Sequence, residues 1–327
     1  MSEIYFLVDL RKLSGFGHFI RTFVIANSLK SKKHQIFYIS NNINLEIKNY
    51  FKNKKIKTLN YTKFKRLKIK NKLVIVDDYK IKKNFIRLLS KNNFIIMFND
   101  DFKNYSKNVD LLINNNLNFE KKKIKKKNNF LFGKKYLLLR NNISKQKINK
   151  NIKNFPVNIY FSLGGFIDKE KLKNFFNNVK EIRYFKENKI NFFINISKYY
   201  QEIKKIFLKN SNISISFVSL KIDNKFDFNT IDFSINAGGL TSTEMVYLKI
   251  PQIIICLSDN QKFNVDFVKK KKIGLEFSKK ELIQKVDLNE EFSIFLKKFK
   301  NIKLRLLKNN YVDNLGIKRL ISRITYL

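Results

Sequence analysis

Two α/β domains, each built on a parallel sheet, are the fold class that the sequence predicts. Three observations carry the prediction. Short apolar runs alternate with longer amphipathic segments, as in repeated β-α units. Glycine-containing turns stand between an apolar run and a helical pattern at three places. A polar stretch, Asn141–Asn154, closed by Pro156, divides the chain near its middle. Residues 1–145 and 155–327 are the two domains expected on this basis, with the last helix able to pack back on the first domain. Ligands of parallel α/β sheets bind beyond the carboxyl ends of the strands, so a cleft between the two sheets is where chemistry is expected.

In the first half, the strand candidates are Ile4–Val8, Gln35–Ile39, Leu73–Val76, Phe94–Phe98 and Leu111–Ile113. A helix from Phe19 to Lys30 follows the first of them, with apolar Phe19, Phe23, Ile25, Ala26 and Leu29. In the second half, the candidates are Val157–Phe161, Asn191–Ile196, Ile213–Phe217, Phe233–Asn236 and Ile253–Cys256. Helical patterns between them include Lys169–Asn178, Thr241–Leu248 and Gln261–Lys271. Pro251 lies after a helix and before a strand, where it stops the one without breaking a ladder of the other.

With 327 residues, 44% of them hydrophobic and 33 of them Phe, the chain can build two substantial cores. No apolar run approaches the ~20 residues of a membrane span, and the start, MSEIYFLVDL, lacks the pattern of a signal peptide. A single cysteine, Cys256, excludes an internal disulfide. A cytoplasmic monomer without stable membrane insertion is expected. The net charge of +42 points at first to nucleic acid, but only nine of the 68 basic residues are Arg. Arg is the residue that phosphate and base recognition recruit for its bidentate geometry. Lys, Asn, Ile and Phe are abundant and Ala occurs only at 26 and 237, a bias that follows AT-rich codons. The lysine run at Lys121–Lys127 lacks interleaved aromatics. Nucleic-acid binding is therefore not expected, although the field should draw in anionic ligands.

Three loops are candidates for holding a phosphorylated ligand. The first, Ser14-Gly15-Phe16-Gly17-His18, lies between the first strand and its helix, whose free N–H groups favour an anion. His18 is one of two histidines, the other being His34 in a lysine-rich loop. The helix dipole should lower the pKa of His18, keeping it neutral and able to accept a proton; capping of its own helix is the plainer role. The second loop, Ser162-Leu163-Gly164-Gly165-Phe166, serves equally well as a simple turn. The third runs through Gly238, Gly239, Thr241, Ser242, Thr243 and Glu244 at a strand-to-helix junction, a combination suited to a diphosphate. Glu244 could accept both ribose hydroxyls, or simply stabilise its helix N-terminus. Asn260, Gln261 and Asn264 follow, with Gln261 and Asn264 on one helix face, where amides suit sugar hydroxyls and phosphate oxygens. Asp77-Asp78-Tyr79 and Asn99-Asp100-Asp101 end two strands, in positions to bind a sugar, to move a proton or to shape turns.

The order of these motifs resembles the UDP-2,4-diacetamido-2,4,6-trideoxy-β-L-altropyranose hydrolases of pseudaminic acid biosynthesis. The resemblance covers nearly the whole chain: Asp9, the GxGHxxR segment Gly15–Arg21, the D-x-Y of Asp77 and Tyr79, Asp100-Asp101 and Asp110–Asn116. It continues through Phe132–Arg140, Ser162–Asp168, the NAGGLTSTE segment, Pro251, the NQKFN segment and Asp313–Arg319. It implies a GT-B-type fold of two Rossmann-like domains facing across a cleft, shared with the peptidoglycan GlcNAc transferase, with UDP held mostly by the second. His18 would activate water for attack at the anomeric carbon, with UDP leaving. Residues Gly238–Thr243 would hold the diphosphate, Glu244 the ribose, and Gln261 and Asn264 the diphosphate and sugar, with Asp77 and Tyr79 on the sugar side. No metal or cofactor is required, because helix N-termini can stabilise the departing charge. Leu7, Arg11 and Ser14 depart from the family's pattern around the sugar pocket, so the sugar can differ.

Transfer of the sugar to an alcohol uses the same fold and the same UDP cradle, and stands as the alternative. It would call for an exposed apolar or basic patch on the first domain. A binding protein without activity is the third reading, for which replacing His18 changes nothing.

Overall fold

The computed structural model describes residues 2–10, 17–41, 43, 45–100, 107–118, 129–164, 168–195, 199–208, 211–218 and 226–325. Gly15 and Gly165, together with Arg11, Ser14, Phe16, Asp101, Phe166 and the run Lys121–Lys127, lie outside the described residues. The chain forms two compact units, one of Met1–Arg140 with Asn314–Leu327, the other of Asn141–Asp313.

The first unit contains β1 (Glu3–Val8), α1 (Gly17–Lys30), β2 (Gln35–Ile39), α2 (Leu45–Asn53), β3 (Lys57–Leu59) and α3 (Tyr61–Arg66). It continues with β4 (Leu73–Asp77), α4 (Lys83–Ser90), β5 (Phe94–Phe98), β6 (Leu111–Asn114) and β7 (Phe130–Phe132). Its sheet is parallel in the order β3-β2-β1-β4-β5-β6-β7. Helices cover both faces, which is why the central strands read as continuous apolar runs instead of alternating. On one face Tyr5, Leu7, Phe37, Val74 and Val76 pack with Phe64 and Ile86. On the other, Phe6 stacks on Tyr38 at 5.0 Å, and Tyr38 meets Phe51 at 4.4 Å between ring centroids. The helix α1 is buried nearly all round, through Phe19, Thr22, Phe23, Val24, Ile25, Ala26 and Leu29.

The second unit contains α5 (Asn141–Ser144), β8 (Asn158–Ser162), α6 (Lys169–Lys180), α7 (Arg183–Glu187), β9 (Ile190–Ile194), α8 (Tyr200–Phe207) and β10 (Ile213–Phe217). Then come β11 (Phe233–Ala237), α9 (Leu240–Tyr247), β12 (Gln252–Ile255), α10 (Lys262–Lys270), β13 (Gly274–Phe277) and α11 (Asn289–Lys308). Its sheet is also parallel, in the order β10-β9-β8-β11-β12-β13. Its core is rich in isoleucine and phenylalanine: Phe176 meets Phe161 at 4.7 Å, and Phe185 meets Phe292 at 4.7 Å. The final helix, α12 (Gly316–Thr325), belongs to the first unit and packs against α1. Gly316 is needed there because a Cβ would lie 2.0 Å from the Leu137 carbonyl oxygen.

The strands expected from apolar runs are present within a residue or two. Three further strands, β3, β7 and β13, are edges of only three or four residues. The stretch Asn141–Asn154 differs from the linker its composition suggests. It opens with α5, and its amides bond the second unit: Gln146 Nε2 donates to the Phe226 carbonyl at 2.7 Å, and Gln146 Oε1 accepts from Phe228 N at 2.8 Å. Gln146 and Asn149 thus spend their amides on backbone of the second unit, while Lys145, Lys147, Lys150 and Asn151 stay exposed.

Candidate functional site

In both sheets the strand order reverses direction beside the first strand, between β1 and β4 and between β8 and β11. Such a switch point leaves room for a ligand beyond the carboxyl ends of those strands. The motif residues of the first unit meet at the first of these points. The last residues of β1 and β4, Val8 and Asp77, are paired, and α1 brings His18 and Arg21 over them.

His18 Nδ1 lies 2.7 Å from Asp77 Oδ1. With the proton assigned to Nδ1, Asp77 accepts it and Nε2 is left as the acceptor. Arg21 donates through Nε to Asp77 Oδ2 at 2.6 Å and through Nη2 to Asp77 Oδ1 at 2.5 Å. Its Nη1 donates to both oxygens of Asp100, at 2.9 and 3.0 Å. Tyr79 donates its hydroxyl to Asp100 Oδ2, while its exposed ring meets His18 edge-on at 5.0 Å. Phe98 lies beneath the Arg21 guanidinium at 4.8 Å. Thr22 donates to the His18 carbonyl at 2.7 Å, which holds the first turn of α1. Asp77 is fully buried and Arg21 is 8% exposed. Charges so far from water must be paired, and here each is.

The electrostatics of His18 differ from the expectation for a helix N-terminus. Burial of the imidazole pulls its pKa down, but the charge and hydrogen bond of Asp77, with a smaller contribution from Asp100, outweigh burial and raise it above 6.5. The helix dipole is a fractional charge shared over a turn, whereas Asp77 is a full charge in contact. Burial alone would raise Asp77, but Arg21 and His18 reverse this and hold it down at about 2. Arg21 is held above its ordinary value, the carboxylates Asp100 and Asp77 outweighing its burial.

The acid pairs divide by role. Asp77 and Asp100 join the His18 network, whereas Asp78 accepts from the Tyr61 hydroxyl at 2.9 Å and from Lys80 N at 2.8 Å, shaping its turn. Asp100 is one of the strand-ending acids that the sequence offers, whereas Phe98 is the member that nothing in the motifs assigns.

In the second unit, β8 leads to Gly164, whose φ of +84° needs glycine. Asp168, at the end of this loop, caps α6 by accepting from Glu170 N at 2.9 Å. After β11, the chain turns through Gly238 and Gly239 into α9. A Cβ on Gly238 would lie 2.8 Å from Val265 and 3.0 Å from Gln261 Cβ, so the turn is pressed against the start of α10. Asn264 is buried and donates to the Gly238 carbonyl at 2.8 Å, while Gln261 precedes α10 and its Oε1 accepts from Leu257 N at 2.9 Å. The two amides thus hold the loops together instead of standing side by side on an open helix face. Asn260 Oδ1 accepts from Ser258 at 2.5 Å. Thr241 is half-buried and Thr243 donates to the Leu240 carbonyl at 2.7 Å. The hydroxyl of Ser242 is buried with no hydrogen-bond partner. Glu244 is fully buried, not presented at the surface of its helix. Gly17 opens α1 with open space around it.

Among the described residues, no group of three or more His, Cys, Asp and Glu is arranged to hold a metal ion. None of their helices is long and apolar enough to cross a membrane.

The whole chain superposes on a solved structure of MurG from Acinetobacter baumannii with a TM-score of 0.69, 12% identity and full coverage of both chains. The fold is that of the GT-B glycosyltransferases. The spinosyn rhamnosyltransferase SpnG complexed with thymidine diphosphate gives 0.67 at 10% identity, over 98% of this chain and all of that one. A glycosyltransferase from Rickettsia africae ESF-5 gives 0.54 at 13% identity, over 98% of this chain and 97% of that one. No family model matches the sequence, and no curated protein matches it.

Proposed function

We propose that the protein cleaves a UDP-linked amino sugar at its anomeric carbon, with His18 drawing the proton from an attacking water as UDP departs. The observation that carries this reading is the His18–Asp77 pair. Its carboxylate-bound Nδ1 leaves Nε2 as the acceptor, an arrangement suited to general base catalysis. Arg21 bonds Asp77, Tyr79 meets His18 edge-on, and Asp100 in turn holds Arg21 and Tyr79, so three separate motifs meet in one cluster. Gly238, Gly239, Thr241, Ser242 and Thr243 are the proposed diphosphate loop, at the switch point of the second sheet. Gly164, Gly165, Asn260, Gln261 and Asn264 are proposed around the same ligand. Contact of Glu244 with a ribose requires that its carboxylate be uncovered. The resemblance in sequence motifs adds the diacetamido-trideoxy sugar and a place in pseudaminic acid biosynthesis.

Transfer to an alcohol is the second reading, and solved neighbours named as a rhamnosyltransferase and a glycosyltransferase weigh in its favour over hydrolysis. The base would then act on a hydroxyl of the acceptor. The test is UDP release from a panel of UDP-amino sugars with no acceptor present. Release sustains hydrolysis; UDP formed only after an alcohol is added replaces it with transfer.

The pH profile tests the base in either case. Because His18 is held above its ordinary 6.5, log(kcat/KM) should climb with unit slope and level off only above that value. A profile flat from about pH 5 to 8 excludes His18 as the base.

A further inference from the structure

We propose that Arg21 is a positioning residue for His18, acting through the Asp77 carboxylate that the two side chains share. The proposal rests on the reading of His18 as base. Asp77 Oδ1 is contacted by both His18 Nδ1 at 2.7 Å and Arg21 Nη2 at 2.5 Å, while Oδ2 is taken by Arg21 Nε at 2.6 Å. A guanidinium edge that donates to both oxygens fixes the plane of a carboxylate, which a single point contact does not. The imidazole bonded to that plane is thereby aimed. Arg21 is held in turn, since its remaining Nη1 reaches both oxygens of Asp100, and Phe98 closes its face. The order of support runs from Asp100 to Arg21 to Asp77 to His18.

The same contacts set a charge balance. The charged groups acting on His18 are Asp77 at the end of β4, Asp100 beyond β5 and Arg21 on α1 itself; Tyr79 meets its ring edge-on. With His18 neutral, one arginine faces two carboxylates, and the cluster is neutral only when His18 takes a proton. Arg21 Nη2 is 3.3 Å from His18 Nδ1, so its charge opposes that proton while Asp100 favours it. Arg21 therefore limits how basic His18 becomes.

The chain has only two histidines, so imidazole signals in an NMR titration of histidine-labelled protein are assigned by a single variant, His34→Ala. Arg21→Gln is expected to raise the His18 titration midpoint and Asp100→Asn to lower it, each by about one unit, near the spread of histidines in proteins. Arg21→Lys keeps the charge and loses the fork, so it should leave the midpoint near wild type while kcat falls about tenfold or more with KM little changed. Should Arg21→Gln fail to fold, Asp100→Asn and Arg21→Lys carry the test. A His18 midpoint that moves in neither folded variant overturns the proposal, as does full kcat in Arg21→Lys. The titration needs no substrate: if no UDP-sugar is turned over but the midpoints move as stated, the linkage stands and the assigned reaction falls.

Discussion

His18→Ala is expected to lower kcat/KM for UDP release by about 100- to 10,000-fold, the range a positioned general base supplies. The loss should fall mainly on kcat, because the proposed diphosphate loop lies in the other unit and keeps its contacts. No other imidazole can stand in. His34 precedes β2, at the amino ends of the strands, and bonds Ser2 Oγ at 2.5 Å, whereas His18 sits over the carboxyl ends of β1 and β4. His34→Ala should accordingly leave the rate unchanged. An unaltered rate in His18→Ala would remove the base from the proposal, and with it the hydrolytic mechanism.

Asp77→Ala should cost about 3–5 kcal/mol of folding free energy, since removing one partner of a buried ion pair strands the other. Arg21 would keep Asp100 but lose two of its donors' acceptors, in a place where water does not reach. Urea unfolding of the first unit is the measurement, and a loss below about 1 kcal/mol would show the cluster to be solvated. The acid limb of stability should change with it. Asp77 is held at about 2 against an ordinary 3.8. Its contribution is therefore complete above 3.8 and is lost as the pH falls through 2, amounting to about 2 kcal/mol. His18 has the opposite sign. Its raised pKa stabilises the fold below 6.5, and that part fades as the pH rises through the folded-state value.

Central strands were legible because a parallel strand covered on both faces must be apolar at every position, as in Leu73–Asp77 with its single terminal acid. The edges β3, β7 and β13 carry only three or four residues, partly exposed, and their sequences KTL, FLF and GLEF have no run long enough to show a period. Motif residues were legible as individuals but not as a network. His18 and Asp77 are 59 positions apart, and Arg21 and Asp100 are 79 apart, so their pairing depends on strand order, which spacing does not encode. The sign of the His18 shift was misread for that reason: the helix end is visible locally and the carboxylate is not. Gln261 and Asn264 are expected on one helix face, yet Gln261 precedes α10 and the two amides turn toward Leu257 and Gly238. Which way a side chain points is a property of packing, and the Gly238 contact that decides it spans 26 residues.

The membership of α12 in the first unit has a consequence for how the chain matures. Residues Asn141–Asp313 form a continuous piece, so that unit can close on itself without a segment from elsewhere in the chain. The other unit is interrupted by the whole of that piece, and the helix bearing His18 and Arg21 gains its α12 neighbour only after residues 316–325 are made. The half carrying the histidine is thus completed by a segment that follows the whole of the other half in sequence.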